Sequence, residues 1–290
     1  MDAKEKLHEY LDLTKDTMKP NTWDTHRRFT RHILNGLRLF NVTKLEDIDA
    51  NVGYMLVGYY KNYTTNSNNS INKNLRYLKA VLRHYEIATS FQKFGMLKSD
   101  TKPFKKFTHE ELKTIINYVR DMELSKNSQV YRTYVMLALD SGMRKSELLN
   151  VKNKNIDFKK KQIYLEVTKN GEHRFAPFSS FSEEEIKKLM EKRTHRKYLF
   201  FNKMRNRQLT KNDIKLFYRR MRKATDINSI HTHRFRKTFA STLAENGMPI
   251  QYIQKLLDHD DIATTMLYID YDDLKPLEEY KQYNNWHIDK

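Results

Sequence analysis

The amino-acid sequence predicts a mainly α-helical protein with one small antiparallel β-sheet, an α+β fold. Over most of the 290 residues, apolar side chains recur at the three-to-four-residue spacing of amphipathic helices. The pattern changes between residues 155 and 178, where β-forming residues alternate or cluster and Asn170-Gly171 gives a strong hairpin-turn signal. Helical spacing returns after residue 181. These three observations place a helical segment on each side of a short sheet.

Four helices are predicted in the first hundred residues. The first contains Leu7 and Leu11, the second follows Pro20, and the third covers about residues 50–62. The polar residues 64–70, TTNSNNS, predict a loop by composition. A fourth helix follows, and its apolar face is formed by Ile71, Leu75, Leu78, Val81, Leu82 and Tyr85.

The opposite face of the fourth predicted helix is basic. A charged face of this kind is usually solvated, but in a chain of net charge +18 it is also a candidate contact for the DNA backbone. Both interpretations stay open. The candidate DNA-binding residues are Lys73, Arg76, Lys79 and Arg83.

A basic, polar stretch at residues 99–107, interrupted by Pro103, predicts a linker. It separates a helical domain at 1–98 from a domain at 108–271, which a tail at 272–290 follows. Thr108 with Glu110 and Glu111 predicts a capped helix start. Further elements are predicted at about 108–151, 182–193, 211–224, 235–246 and 249–258 (helices), at 155–158, 162–167 and 173–177 (strands), and at Tyr198–Phe201 (a short strand).

The charge is uneven along the chain. Residues 101–268 contain 35 basic and 19 acidic residues, whereas residues 269–290 contain 3 basic and 6 acidic residues. An excess of this size predicts a polyanionic partner, either nucleic acid or an acidic membrane surface. No apolar run approaches the roughly 18 residues of a membrane span, and the N-terminus lacks a signal peptide's apolar stretch. We therefore expect a cytoplasmic protein that does not insert into membranes.

Composition also excludes several classes of chemistry. The chain has no cysteine, so disulfides, thiol nucleophiles and cysteine-based zinc sites are ruled out. Neither GxxxxGK[ST] nor GxGxxG occurs, so the sequence offers no support for a bound nucleotide. No cofactor and no metal are predicted.

Four segments resemble, in order and spacing, the conserved segments of the tyrosine recombinase (phage integrase) family. They are SGMRKSELLNV (141–151), VTKNGEHRFAP (167–177), HTHRFRKTFASTL (231–243) and LLDHDDIATTMLY (256–268). The resemblance extends from about residue 108 to 271, and residues 1–98 are consistent with the family's core-binding domain. It implies a site-specific recombinase of a mobile genetic element that integrates or rearranges DNA through a 3′-phosphotyrosine intermediate.

The residue chemistry agrees with this resemblance. Tyr268 is the candidate nucleophile, since a phenol can form a phosphotyrosine that a DNA hydroxyl later displaces. Tyr271 is the nearest rival. Arg144 and Arg236 are the candidate phosphate clamp, because guanidinium groups match phosphate oxygens and stay charged. Taken alone, an arginine in these positions is more often a surface residue, and a tyrosine is more often part of an ordinary helix face.

The resemblance assigns further roles. It implies that Lys169, at the tip of the predicted hairpin, protonates the leaving 5′ oxygen, although a lysine at a turn can be merely solvated. It implies that Glu147 supports Arg144 or the site histidine. It also implies that His233 handles the proton of the tyrosine or orients the phosphate, and that His259 donates to the phosphate.

Two ambiguities accompany these assignments. His231 competes with His233, and a zinc site formed by His231, His233 and His259 is the alternative use of these side chains. The chain also departs from the family pattern in two places. Lys237 stands where histidine is common, and Asp258 stands where glycine is usual, so Asp258 is expected to affect the pKa or the orientation of His259.

By resemblance, the enzyme acts on double-stranded DNA as a homo-oligomer, a dimer on one site and a tetramer in the synapse. The acidic tail would then dock on a neighbouring protomer; a solvated tail is the alternative. Two rival functions remain at this stage, a type IB topoisomerase and a non-catalytic DNA-binding regulator.

Overall fold

A computed structural model describes residues 1–99, 105–122, 128–166, 173–191, 196–259 and 261–266. The chain divides into two compact units, Met1–Lys102 and Pro103–Lys290. Helices dominate both units, and the β-strands of the described residues form small antiparallel sheets in the second unit. The predicted α+β class is confirmed.

The first unit is a bundle of four helices. A buried apolar cluster that includes Leu7, Ile33, Leu56 and Leu78 joins them. Its elements are α1 Ala3–Leu13, α2 Pro20–Leu39, α3 Ala50–Tyr63 and α4 Asn68–His84, with 3-10 turns at Leu45–Asp47 and Ser90–Lys93.

The loop predicted at residues 64–70 is shorter than its composition suggested. The Ser67 side chain accepts a hydrogen bond from the backbone N–H of Ser70, so α4 begins at Asn68. The prediction was wrong for residues 68–70, because serine and asparagine are favoured at helix starts as well as in turns.

The second unit contains eight helices within the described residues. The predicted start of the first one is confirmed, since Thr108 and Glu111 form a reciprocal capping box. The helices are α5 His109–Asp121, α6 Ser128–Ser141, α7 Lys145–Leu149, α8 Ser180–Glu191, α9 Lys211–Thr225, α10 Thr232–Glu245, α11 Ile250–Leu257 and α12 Ile262–Met266.

The predicted three-stranded sheet is present. Its strands, in spatial as well as chain order, are β1 Ile156–Asp157, β2 Gln162–Leu165 and β3 Arg174–Pro177. All pairings are antiparallel. The expected hairpin tip lies outside the described residues. A second, two-stranded sheet of β4 Phe201–Asn202 and β5 Arg207–Gln208 replaces the single strand predicted at Tyr198–Phe201.

Packing around α10 positions the residues discussed below. Phe235 of α10 joins Tyr134 of α6 in the main core of the second unit. Ala240 of α10 packs with Ile253 and Leu257 of α11 in a smaller apolar cluster. The C-terminal ends of α6 and α11 are thereby brought towards α10. Among the described helices, none has the length and apolar character needed to cross a membrane.

Candidate active site

The loop between α6 and α7 passes close to α10, and Gly142 makes this approach possible. Its φ is +60°, in the left-handed region that residues with a side chain rarely adopt. A β-carbon there would lie 2.4 Å from Cδ1 of Phe239, a residue of α10. The Gly142 carbonyl accepts a hydrogen bond from Nη1 of Arg236 at 2.9 Å. Glycine therefore lets the loop reach the second arginine of the predicted clamp.

Arg144 ends this loop and is held by Glu147, one turn into α7. Oε2 of Glu147 accepts a hydrogen bond from the Arg144 backbone N–H at 2.7 Å, and Nη1 of Arg144 lies 2.9 Å from Oε1. The Glu147 side chain is only 3% exposed. The contact expected between these two residues is present.

Arg236 projects from α10 and is almost completely buried, with 1% of its surface exposed. Its Nη2 donates to the carbonyl oxygen of Leu257 and lies 2.8 Å from Nε2 of His259. The other ring nitrogen of His259, Nδ1, lies 2.8 Å from Oγ1 of the buried Thr265. The ring of His259 is thus fixed at both nitrogens.

The turn that ends α11 brings Arg144 to the same place. Asp258 comes directly after the last residue of α11 and adopts the left-handed conformation, with φ 55° and ψ 56°. Its carbonyl accepts from Nη2 of Arg144, and its Oδ2 lies 2.7 Å from Nη1 of Arg144. Residues 257–259 therefore contact both arginines of the predicted clamp.

The two candidate histidines of α10 have different environments. His231 precedes α10, and its Nδ1 accepts a hydrogen bond from the backbone N–H of Arg234 at 3.2 Å. His233 lies one turn before Arg236 and is exposed. His231 thus has a structural role as a helix cap. Nowhere in the described part of the chain do three His, Asp or Glu side chains form a group that could hold a metal ion.

Burial and charge set the protonation states of this cluster. Burial, followed by the nearby positive charges of Arg236 and Arg144, lowers the pKa of His259 to about 4. Burial works against ionisation of Glu147, but Arg174 and Arg144 outweigh it and hold the pKa of that carboxyl below its ordinary value. At neutral pH the cluster contains a neutral imidazole, an ionised carboxylate and guanidinium groups. Because a guanidinium group can only donate, Nε2 of the neutral His259 accepts from Arg236, and the ring N–H is on Nδ1, beside Thr265. The guanidinium groups are the donors of this cluster that suit a phosphate.

Known proteins match this chain along nearly its whole length. Residues 105–275 match the Phage integrase family. The "Probable integrase/recombinase" of Acholeplasma phage L2 is 46% identical over 286 residues, which cover 99% of each chain. The chain belongs to the phage integrase family. It is accordingly a tyrosine recombinase, a member of a family of enzymes that cleave DNA and transfer its strands.

Solved structures of integrases share the fold of this recombinase. The Tn1549 transposon integrase in complex with circular intermediate DNA has a TM-score of 0.82 at 18% identity, over 97% of this chain and 99% of that one. A lambda integrase dimer bound to a COC' core site has a TM-score of 0.77 at 19% identity, over 93% and 77% of the two chains. Lambda integrase is also known as a tetramer bound to a Holliday junction, with a TM-score of 0.75 at 19% identity over 94% and 80%. Neither rival function, topoisomerase or non-catalytic regulator, is favoured by these matches.

Two candidate catalytic residues of the recombinase, Lys169 and Tyr268, lie outside the described residues. The same is true of Tyr271 and of the tail at 272–290. Their predicted roles stay predictions.

The sequence interpretation missed Arg174 of β3. Its side chain is 8% exposed, and its Nη2 lies 2.6 Å from Oε2 of Glu147. Its Nη1 donates to the carbonyl of Leu256 at 2.6 Å. The available signal was strand alternation, since Arg174 shares a strand face with the buried Ala176. Arg174 of β3 thus contacts Glu147 of α7 and Leu256 of α11, and it shares Glu147 with Arg144.

The basic face of α4 is only partly as predicted. Lys73, Arg76 and Arg83 are exposed. Lys79 is partly buried, and its ammonium donates to the carbonyls of Gln92 and Phe94 at 3.0 Å and 2.6 Å. Lys79 is therefore less exposed than the other three, because its long side chain reaches the second 3-10 turn and the residue that follows it.

Proposed function

We propose that this recombinase cleaves and rejoins double-stranded DNA with a scissile phosphate held between Arg144 and Arg236. The observation that carries the proposal is the convergence of both guanidinium groups on residues 257–259, beside the neutral His259. Guanidinium groups offer paired, permanently charged donors that stabilise the charge growing on a phosphate in the transition state. Glu147 orients Arg144 from behind.

In the proposed reaction, the phenolic oxygen of Tyr268 attacks the phosphorus and its proton passes to His233, which can also orient the phosphate. The bond from phosphorus to the 5′ oxygen breaks, and Lys169 supplies the proton for that oxygen. The products are a 3′-phosphotyrosine and a free 5′-hydroxyl. A 5′-hydroxyl of the partner duplex then displaces Tyr268, which needs no metal and no nucleotide.

DNA is the proposed partner of both units. We assign residues 1–98 to a core-binding domain, 99–107 to a linker and 108–271 to the catalytic domain. Lys73, Arg76 and Arg83 are the proposed phosphate contacts of the first unit, because their charges are exposed on one face of α4. The DNA complexes of the Tn1549 and lambda integrases support this assignment. With DNA as substrate, the proposed site of action is the cytoplasm.

The proposed active assembly is a dimer on one DNA site and a tetramer in the synapse. Lambda integrase is known both as a dimer on a core site and as a tetramer on a Holliday junction, which supports this proposal. The tail at 272–290 is the proposed contact between protomers, since its acidic residues are opposite in sign to the catalytic domain.

A nicked substrate tests the chemistry. A duplex selected by the wild-type chain from a random-sequence pool is nicked near each candidate phosphate, so that the short product diffuses away and the covalent adduct accumulates. We expect a denaturant-resistant adduct with the wild type and with Tyr271→Phe, and none with Tyr268→Phe. An adduct formed equally well by Tyr268→Phe would move the nucleophile elsewhere, and no adduct from the wild type would refute the proposed function.

A further inference from the structure

The carboxylate of Asp258 lies where the proposed clamp should receive a phosphate. Its Oδ2 is 2.7 Å from Nη1 of Arg144, and the two side chains are each 15% exposed. A carboxylate and a phosphate use the same geometry to accept hydrogen bonds from a guanidinium group. Asp258 therefore occupies a donor of Arg144 that the proposed reaction assigns to DNA.

The backbone at this position does not require a carboxylate. The left-handed turn that ends α11 is satisfied most readily by glycine, and also by asparagine. The contact from Nη2 of Arg144 to residue 258 is made to the main-chain carbonyl. The turn and this contact would both survive the loss of the charge. The Asp258 carboxylate is thus not needed for the turn or for the main-chain contact with Arg144.

The Asp258 carboxylate lowers the net positive charge of the cluster. Three guanidinium groups, of Arg144, Arg174 and Arg236, meet the two carboxylates of Glu147 and Asp258, while His259 is neutral. The cluster has a net charge of one positive. Without the Asp258 carboxylate the net charge would be two positive, which would attract a phosphate anion more strongly.

The two carboxylates do not have equal roles. Glu147 is 3% exposed and is held by Arg174 as well as by Arg144. In the described part of the chain, Asp258 forms an ion pair with Arg144 alone, and its side chain is more exposed than that of Glu147, at 15%. A DNA phosphate that approaches from solvent would meet Asp258 first and would leave Glu147 in place.

We propose that Asp258 is a built-in phosphate substitute that holds Arg144 in the DNA-free enzyme and that the scissile phosphate displaces. This inference rests on the proposed function of Arg144. The exchange makes and breaks no covalent bond: one anion replaces another on the same guanidinium group, and the aspartate turns towards solvent. Asp258 thereby sets how readily the clamp accepts DNA.

The test compares DNA affinities of Asp258→Asn and Asp226→Asn, both made in the Tyr268→Phe background so that no cleavage occurs. Asp226 is the matched control, because it too is an aspartate that ends a helix (α9) in the left-handed conformation, with φ 55°, and it is exposed. Both substitutions remove one negative charge and keep a residue suited to this backbone. The ligand is the selected duplex, and dissociation constants come from fluorescence anisotropy.

We expect Asp258→Asn to bind the duplex about tenfold more tightly than its parent, which corresponds to about 1.4 kcal/mol, and Asp226→Asn to change the constant less than about twofold. The gain should disappear on a duplex whose scissile phosphate is replaced by an uncharged methylphosphonate. Asp258→Gly, which also suits the turn, should reproduce the gain if the asparagine variant folds poorly.

Equal or weaker binding by folded Asp258→Asn and Asp258→Gly would overturn the inference, and would give Asp258 the role of orienting Arg144. A gain in affinity that persists on the methylphosphonate duplex would overturn the inference as well. The carboxylate would then act through long-range repulsion of the whole duplex and not by occupying the phosphate position. Adduct formation by the wild type on the nicked substrate is scored separately. A failure of the proposed function can therefore be told apart from a failure of this inference alone.

Discussion

Substituting Gly142 with alanine tests how the loop before Arg144 is built. The left-handed backbone at φ +60° costs a residue with a β-carbon about 1–2 kcal/mol. The new methyl group would also lie 2.4 Å from Cδ1 of Phe239, and forcing a methyl group into packed surroundings costs about 1–3 kcal/mol more. We therefore expect Gly142→Ala to lower the free energy of unfolding of the second unit by about 2–5 kcal/mol.

Gly247→Ala separates the two contributions. Gly247 has φ +81°, but no described atom lies within 4 Å of a β-carbon built there, so alanine should cost only the backbone part, about 1–2 kcal/mol. Scanning calorimetry measures the Tm of both variants. For a unit of this size, each kcal/mol of lost stability lowers Tm by about 2–4 °C. Equal shifts for the two alanine variants would show that the contact with Phe239 does not constrain the loop.

Three further predictions concern charge. Glu147→Gln should lower the free energy of unfolding of the second unit by about 3 kcal/mol in calorimetry, because the buried guanidinium group of Arg174 loses its partner. Glu245→Gln, which breaks the partly exposed pair with Lys106, should lower it by less than about 1 kcal/mol. Equal losses would contradict the argument from burial. By NMR the His259 ring should titrate near pH 4, below its ordinary 6.5. Because the folded state has the lower pKa, the stability that this histidine contributes is complete above about pH 6.5 and is lost as the pH falls towards 4; titration near 6.5 would contradict the assigned burial. Arg76→Gln should reduce the slope of log affinity for DNA against log salt concentration by about 0.9, because one phosphate contact is lost. Lys79→Met should leave the slope unchanged, since backbone carbonyls already bind that ammonium group. Equal slopes for the two variants would contradict the assignment of Arg76, but not Lys79, to DNA.

Local signals in the sequence predicted most of the fold. The capping box at Thr108 and the strands on either side of Asn170-Gly171 depend on neighbouring residues, and both strands lie where they were expected. Errors arose where one residue type suits two structures. Ser67 caps a helix that begins within a stretch predicted as a loop. The helical pattern at 108–151 hides a break at residues 142–144, which the approach of α10 to Gly142 explains.

The candidate site was predictable as a set of residues but not as a set of contacts. The three-residue spacing predicted that Glu147 lies beside Arg144. Arg144 precedes α7 as its N-cap residue, so the two meet through the backbone N–H of Arg144 as well as through its side chain. The contacts of Arg174 and Asp258 depend on where β3 and the end of α11 lie in three dimensions. No local pattern contains that information. Asp258 was expected to affect the pKa or the orientation of His259, and it makes a minor contribution that raises that pKa. Its contact with Arg144 was not foreseen.

The end of α11 explains why the arginines meet. The last carbonyls of a helix lack partners within the helix and form the negative end of its dipole. Here the consecutive carbonyls of residues 256–258 accept hydrogen bonds from Arg174, Arg236 and Arg144 respectively. Each arginine comes from a different element, so the helix end acts as the common acceptor that gathers three positive charges. Because these contacts use main-chain oxygens, they hold the guanidinium groups together before DNA arrives, and the Asp258 carboxylate is the anion that the proposed phosphate would replace. A site assembled in this way does not have to be reorganised during the reaction, which is the condition under which fixed charges stabilise a transition state most effectively.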